Sequence, residues 1–347
     1  MTRTTPPRPF NAAQELPHLA SLARTATRLH PRPGSPSVQD SSVGGPLLWP
    51  ANEPWPHCDG PHVWDQHSGA PSPDDVRLQR RITADAVRRA AGDPAAFQLT
   101  TEELAAYTQA RAGHSWPDGP VPLLPLAQIY ARDVPALRTP DTADVLQVLW
   151  CPFEHPAQPK TTLVWRTAAT VTDVLATPPE PAVVQQSTYL PQPCLLSPEE
   201  VTEYPHSMEL EPELRRQVEN CRAWMPEDEP DAEPDEDDPT PEDVYDWSLS
   251  IAPGWKIGGW TRWGLHDPAP RPCGACGTEM DPLLTIASDE WDELRSTWIP
   301  YEDQNVTASA LDPYPERPTQ IQIADLNDLQ LYICPESFDH PHFDLVQ

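Results

Sequence analysis

The residues best equipped for chemistry in this chain are its seven cysteines, and two of them stand in the run Cys273-Gly274-Ala275-Cys276-Gly277. Two thiols separated by two residues, with glycines that let the backbone turn tightly and offer N–H groups to sulfur, are half of a tetrahedral zinc site. A closed structural site needs four donors. The metal residues expected are Cys273, Cys276 and Cys334, with His340, His342 and His266 as further donors, none at a diagnostic spacing. An unliganded glycine turn accounts for the same run, and the residues alone leave both readings open. A redox Cys-x-x-Cys fits less well, because it opens a helix after a strand and this pair lies among prolines and glycines.

Earlier in the chain Cys58 and His62 occupy a comparable turn, and Cys151 with His155 follows a later apolar run. Together they suggest a degenerate second metal site, against the plainer reading in which buried cysteine is a small hydrophobe. Cys194 and Cys221 have no companions and take the plainer reading. Nucleophilic catalysis finds no support, since there is neither a Gly-x-Ser-x-Gly elbow nor a His-Glu-x-x-His pair. Gly44-Gly45 and Gly258-Gly259 fit no phosphate-binding loop and suit strand turns or close backbone approach instead. No catalytic residue is assigned, and the one cofactor expected is structural zinc.

The elements that must hold these residues are short. Among 347 residues there are 48 prolines, which fix φ, remove N–H donors and break up regular structure, and 13 tryptophans, which supply large apolar area for small β-rich units. The formal charge of -30 repels a phosphate backbone, so no nucleic acid is expected as a partner; a basic protein is the electrostatic complement. The opening residues carry no apolar core of a signal peptide and no run of 18 apolar residues occurs, so a cytoplasmic location without membrane contact is expected. Seven thiols, an odd number in a long chain, argue for reduced cysteines or metal ligation over a disulfide framework.

Residues 1–42 read as a Pro-rich N-terminal arm with one helical stretch near Leu16 to Leu29. Residues 43–170 form a first half. Within it, Ser72-Pro73-Asp74-Asp75 and Thr100-Thr101-Glu102-Glu103 start two helices of an insertion over about 72–113. Strands are expected at 122–129, 145–151 and 161–165. Residues 171–225 are a connecting segment with short helices at Ser197-Pro198-Glu199-Glu200 and at Glu211 to Cys221. An acidic stretch over 226–245 reads as a disordered linker, with 11 carboxylates and no basic residue from Glu227 to Asp243. Residues 246–347 form a second half with the cysteine turn.

The two halves repeat one another. Val43-Gly44-Gly45 is echoed by Ile257-Gly258-Gly259, each with a cysteine turn about 14 residues on, at Cys58 and Cys273. Pro122-Leu123-Leu124-Pro125-Leu126-Ala127 is answered by Pro282-Leu283-Leu284-Thr285-Ile286-Ala287, and Leu146-Gln147-Val148-Leu149-Trp150-Cys151 by Leu329-Gln330-Leu331-Tyr332-Ile333-Cys334. Both run on to His-Pro, at His155-Pro156 and His340-Pro341. Four matched words in one order predict a β unit duplicated in two halves, with the helical insertion in the first.

Gly44-Gly45-Pro46 with Trp49-Pro50, Lys256-Ile257-Gly258-Gly259-Trp260, the cysteine turn at 273–277 and the word from Leu329 to Pro335 resemble the YwqG-like family of uncharacterised bacterial proteins. More distantly they are similar to the programmed cell death protein two group. The resemblance implies a duplicated, mainly antiparallel α+β fold, and through the distant group a dedicated chaperone for a basic ribosomal protein. Some bacterial relatives look associated with toxin and immunity systems, which implies an inhibitory protein contact instead. No binding residue is carried over. The expected function is therefore a non-enzymatic protein-binding module, a chaperone or adaptor for a basic client. The alternatives are an immunity-type protein that neutralises a toxin, and an enzyme of unrecognised class.

Overall fold

Short apolar words between proline-rich turns favour short strands over long helices, and a computed structural model describes residues 2–63, 69–90, 93–155, 158–225, 238–306 and 315–347 in those terms. The order is α1 (Ala12–Glu15), β1 (Arg24–Arg28), β2 (Arg32–Pro33), β3 (Ser42–Val43), β4 (His57–Cys58), α2 (Pro73–Ala90), α3 (Thr101–Ala110), β5 (Val121–Pro122), β6 (Leu124–Tyr130), β7 (Val145–His155), β8 (Gln158–Arg166), β9 (Cys194–Leu195), β10 (Glu199–Glu203), α4 (Pro212–Glu219), α5 (Pro241–Val244), β11 (Lys256–Gly258), β12 (Asp281–Ile286), β13 (Leu329–Ile333) and β14 (Phe343–Val346). The fold is α+β with antiparallel pairing in both large sheets. Among the described residues no helix is long and apolar enough to cross a membrane.

The chain divides into two units. Unit 1 holds Met1–His30, Ser197–Gln304 and Asn327–Gln347; unit 2 holds Pro31–Leu196 and Asn305–Leu326. Unit 2 is built on the sheet β2-β9-β3-β6-β7-β8. Its long strand β7 is buried from Val145 to Phe153 on both faces, which suits its continuous apolar run. Leu149, Cys151 and Phe153 pack with Trp49, Trp55 and Val121 in the core. The insertion forms as the caps require. Helix α2 buries Val76, Ile82, Ala86 and Ala90 on one face, with acidic residues in its first turn and Arg88 and Arg89 in its last. Helix α3 opens on a capping box between Thr100 and Glu103.

Unit 1 is built on the sheet β10-β1-β11-β12-β13-β14. A second layer of α1, α4 and the segment around Tyr245 buries Leu19, Leu214, Val218, Trp224 and Leu249. Strand β13 is buried at all five positions. At the centre of the sheet Lys256 Nζ meets both oxygens of Glu203 at 2.6 and 2.8 Å, and Glu203 also accepts the N–H groups of Ala252 and Trp260. That set of donors offsets the desolvation of a fully buried pair. A Cβ at position 259 would lie 2.2 Å from a Glu203 oxygen, and Gly259 has φ +76, so glycine is required here on both counts.

Counted along the sheets, the same positions carry the same words. Val43 faces Ala127 and Ile257 faces Leu284; Ala127 faces Val148 and Leu284 faces Leu331. Each fourth-to-fifth strand pairing has its bulge at one place, between Pro125 and Ala127 in unit 2 and between Pro282 and Leu284 in unit 1. Pro282 therefore corresponds to Pro125, three residues on from the Pro122 with which the repeated words pair it.

Each sheet draws strands from both parts of the sequence. Strand β1 lies second in the unit 1 sheet and β2, four residues later, first in the unit 2 sheet; β9 lies second in the unit 2 sheet and β10 first in that of unit 1. Residues 1–42 are therefore no arm over most of their length. The helical stretch expected from Leu16 to Leu29 is a 3-10 helix over Pro17–Leu22 and then strand β1, where β-branched Thr25 and Thr27 suit a strand. Ser197-Pro198-Glu199-Glu200, expected to open a helix, leads into β10 instead. Pairing with β1 and the bonds from Glu199 and Glu203 into unit 1 override the local cap signal. Of the acidic stretch 226–245, residues 226–237 lie outside the described residues. The remainder is ordered, with a capping box between Thr240 and Asp243, helix α5 and a buried Tyr245.

Candidate metal centres

At the far end of β13 the chain turns at Cys334 and reaches His340 six residues on, while the cysteine turn comes in from the β11–β12 connection. The turn is a tight hairpin. Pro272 bridges Glu279, Cys273 N–H donates to Thr278 O at 2.8 Å and Gly277 N–H to Cys273 O at 2.8 Å, with Gly277 at φ +77. It brings Cys273 Sγ to 3.5 Å from His340 Nδ1, Cys276 Sγ to 3.5 Å from Cys334 Sγ, and Cys334 Sγ to 3.3 Å from His340 Nδ1. All four donor atoms lie within 4.8 Å of one another.

Unit 2 has the same arrangement at the same place. Cys151 follows Trp150 on β7 as Cys334 follows Ile333 on β13, and Cys58 sits on β4. Cys58 Sγ is 3.4 Å from His155 Nε2 and Cys151 Sγ is 3.3 Å from His62 Nε2. The four donors again lie within 4.8 Å of one another. Val63 bridges Glu154 beside them, and β4 pairs with β5, so the 72–113 insertion enters and leaves through the position of the hairpin tip in unit 1.

Bond lengths of about 2.3 Å to sulfur and about 2.0–2.1 Å to nitrogen in a tetrahedral shell put neighbouring donors about 3.3–3.8 Å apart. Two donor pairs in the unit 2 cluster and three in the unit 1 cluster, at 3.3 to 3.5 Å, fall in that range, and the other pairs lie within 4.8 Å. Both clusters can therefore hold a metal ion. Cys58, Cys151, Cys273 and Cys334 are buried and Cys276 is exposed. Burial lowers His62 and His155 below the ordinary imidazole range, which favours the neutral ring that coordinates a metal. Burial pushes the Cys151 and Cys334 thiols up, so a positive ion has most to offer there. Side-chain and backbone hydrogen bonds from Thr278 bring Cys276 down to about 6.

The three cysteines expected to bind metal, Cys273, Cys276 and Cys334, are thus brought together, with His340 as their fourth partner. His342 instead faces Asp344 at 3.3 Å, and the backbone of His266 donates to Gln347. The Cys58, His62, Cys151 and His155 group, whose plainer reading was two buried hydrophobes and two idle histidines, is a full four-donor cluster. Its signal was present as two Cys-x-x-x-His spacings. No family model matches this sequence, and no curated protein matches it either.

Proposed function

We propose that this chain is a non-enzymatic protein-binding module of the cytoplasm, a chaperone or adaptor for a basic protein client, with each unit pinned by a structural zinc ion. The observation that carries the reading is that each cluster supplies four protein donors. Four donors fill the zinc shell and leave no position for a substrate or a water nucleophile, which separates structural from catalytic sites. Cys273, Cys276, Cys334 and His340 would hold one ion, and Cys58, His62, Cys151 and His155 the other. The common sheet order and bulge support descent of the two units from one duplicated unit of the YwqG-like kind.

The charge of -30 supports a basic client and disfavours nucleic acid. Affinity capture from the source cells at low and moderate salt tests the reading, because an electrostatically steered complex weakens as screening rises. Retention of a basic protein that leaves with salt supports the proposal. Retention of a single toxin would move it to neutralisation. A small molecule that raises the melting temperature, with no protein retained at any salt, would replace it with an enzyme or a small-molecule binder.

A further inference from the structure

The described residues of the N-terminal segment before α1 have no helix or strand, yet Arg3, Thr4, Thr5 and Arg8 are held tightly within unit 1. Arg3 Nε lies 2.9 and 3.1 Å from the Asp303 oxygens. Thr4 N–H donates to Glu302 at 2.9 Å while its carbonyl accepts Tyr301 N–H at 3.0 Å. Thr5 N–H donates to the Glu199 carboxylate at 2.9 Å, and its hydroxyl bonds Glu199 and accepts from Arg28 Nη1 at 2.8 Å. Arg8 lies 3.5 Å over the Trp298 ring and donates to the carbonyls of Thr297 and Ser248.

These contacts make a seat with a readable code: a carboxylate for one guanidinium, two carboxylates for consecutive backbone N–H groups, a hydroxyl pocket, and an aromatic face for a second guanidinium five residues on. The segment is basic and has no carboxylate before Glu15, in a chain of net charge -30. Its fit is also imperfect. Arg8 has carbonyls, the Thr297 hydroxyl and a ring as its direct partners, and burial, with Arg28 nearby, outweighs the Glu199 carboxylate and lowers its guanidinium to about 9.

We propose that this seat is the docking site for a basic, proline-containing segment of a partner protein with the pattern Arg-x-Thr-x-x-Arg, and that residues 3–8 are its resident occupant. The inference rests on the reading of the chain as a binder of a basic client, and it names where that client is read. A tethered segment competes at an effective concentration on the order of millimolar, so a partner carrying the same pattern gains access when the resident leaves.

The test uses a labelled synthetic peptide with the sequence of residues 2–10 as probe. It is titrated by fluorescence anisotropy into the full chain, into a chain lacking residues 2–10, and into a full-length chain carrying Arg3→Glu and Arg8→Glu. The last keeps the protein's length should the truncation fail to fold, and far-UV circular dichroism checks both variants. The expected result is saturable binding to the two variants and at least tenfold weaker binding to the unmodified chain. A peptide carrying both Arg→Glu changes should lose binding. Folded variants that do not bind the peptide would overturn the proposal.

A parallel capture with Asp303→Asn and Glu199→Gln in the full chain separates this idea from the wider reading. A basic client held equally by that variant and the unmodified chain leaves the client reading standing and removes this seat. If the client is lost from the variant, and it carries the pattern, the seat is supported. Peptide binding with no basic client retained by any form sinks the client reading and leaves the peptide site.

Discussion

The two units solve one architectural problem with different chemistry. In each, a buried glutamine on the fifth strand donates to a backbone carbonyl five residues past the apolar residue that precedes the double glycine: Gln147 to Leu48 O at 3.0 Å, and Gln330 to Arg262 O at 2.7 Å. In each, the next residue is a buried tryptophan under a guanidinium, Arg166 over Trp49 and Arg271 over Trp263. Yet the donor sets differ, two cysteines and two histidines in unit 2 against three cysteines and one histidine in unit 1. At the third strand, Ser42 in unit 2 stands where unit 1 has the buried Lys256 of the Glu203 pair. Register and the glutamine bond are held in common, while the candidate metal donors and the polar filling vary. A strand slip would turn every side chain to the wrong face, whereas a thiolate-for-imidazole exchange keeps the tetrahedron.

The largest effect should come from metal. Protein purified without chelator is expected to hold about two zinc ions per chain by elemental analysis, and stripping them should lower the unfolding free energy by several kcal/mol or more, given roughly 10 for zinc in small peptides. Cys334→Ser and Cys151→Ser should each remove one ion and leave the other. A variant that loses both would mean that the two centres are not independent, and fewer than about 0.2 ions per chain in the unmodified protein would leave both clusters as packing alone.

Lys256→Met should cost about 3–5 kcal/mol in denaturant unfolding, because it leaves Glu203 buried without its counter-charge, while Ser42→Ala at the matching position should cost about 1 kcal/mol or less. Equal losses at the two positions would contradict the assigned difference. Gln147→Leu and Gln330→Leu should each cost about 1–3 kcal/mol, since each leaves a carbonyl without its donor, and Gln147→Leu should cost the more, because Gln147 also bonds Gln128 and the Arg166 guanidinium where Gln330 also bonds the Tyr332 hydroxyl.

The smallest effect is expected in acid. Burial alone would raise Glu199, but the bonds from His30 and Thr5 outweigh it and hold the carboxyl down at about 2. A depressed carboxyl stabilises fully above the unfolded value near 4.5 and loses that stabilisation as pH falls toward 2. After solvent screening this amounts to about 1 kcal/mol or less. The midpoint of unfolding for Glu199→Gln should therefore lie below that of the unmodified protein at pH 7 and converge with it toward pH 2. A constant gap would assign the effect to packing.

Much of this was legible in the residues. The words around Leu146 and Leu329 marked the buried central strands, because a continuous apolar run bounded by turns has few other fates. Thr100 with Glu103 marked the start of α3. The thiol pair and Cys334 marked one centre. What could not be read was whatever depends on a distant partner. Glu199 and Glu200 look like the first turn of a helix, but pairing with β1, the bonds of Glu199 to His30 and Thr5 and the bond of Glu203 to Lys256 make the segment a strand. His340 could not be told from His342, since the order of turns after β13 decides which ring meets the sulfur atoms. The segment before α1 looked like an arm because proline and arginine say nothing of the carboxylates that wait for them almost 300 residues away.

The exchanged strands bear on how the protein is made. Strand β1 finds its hydrogen-bond partners in β10 and β11, so residues 24–28 leave the ribosome with neither neighbour yet synthesised. Some 170 residues separate β1 from β10, and at about 5–20 residues per second the strand waits roughly 10 to 35 seconds. Strand β1 has both edges open until β10 emerges and one edge open until β11 does, near residue 258 of 347, and through that time it is exposed to other nascent chains on the same message.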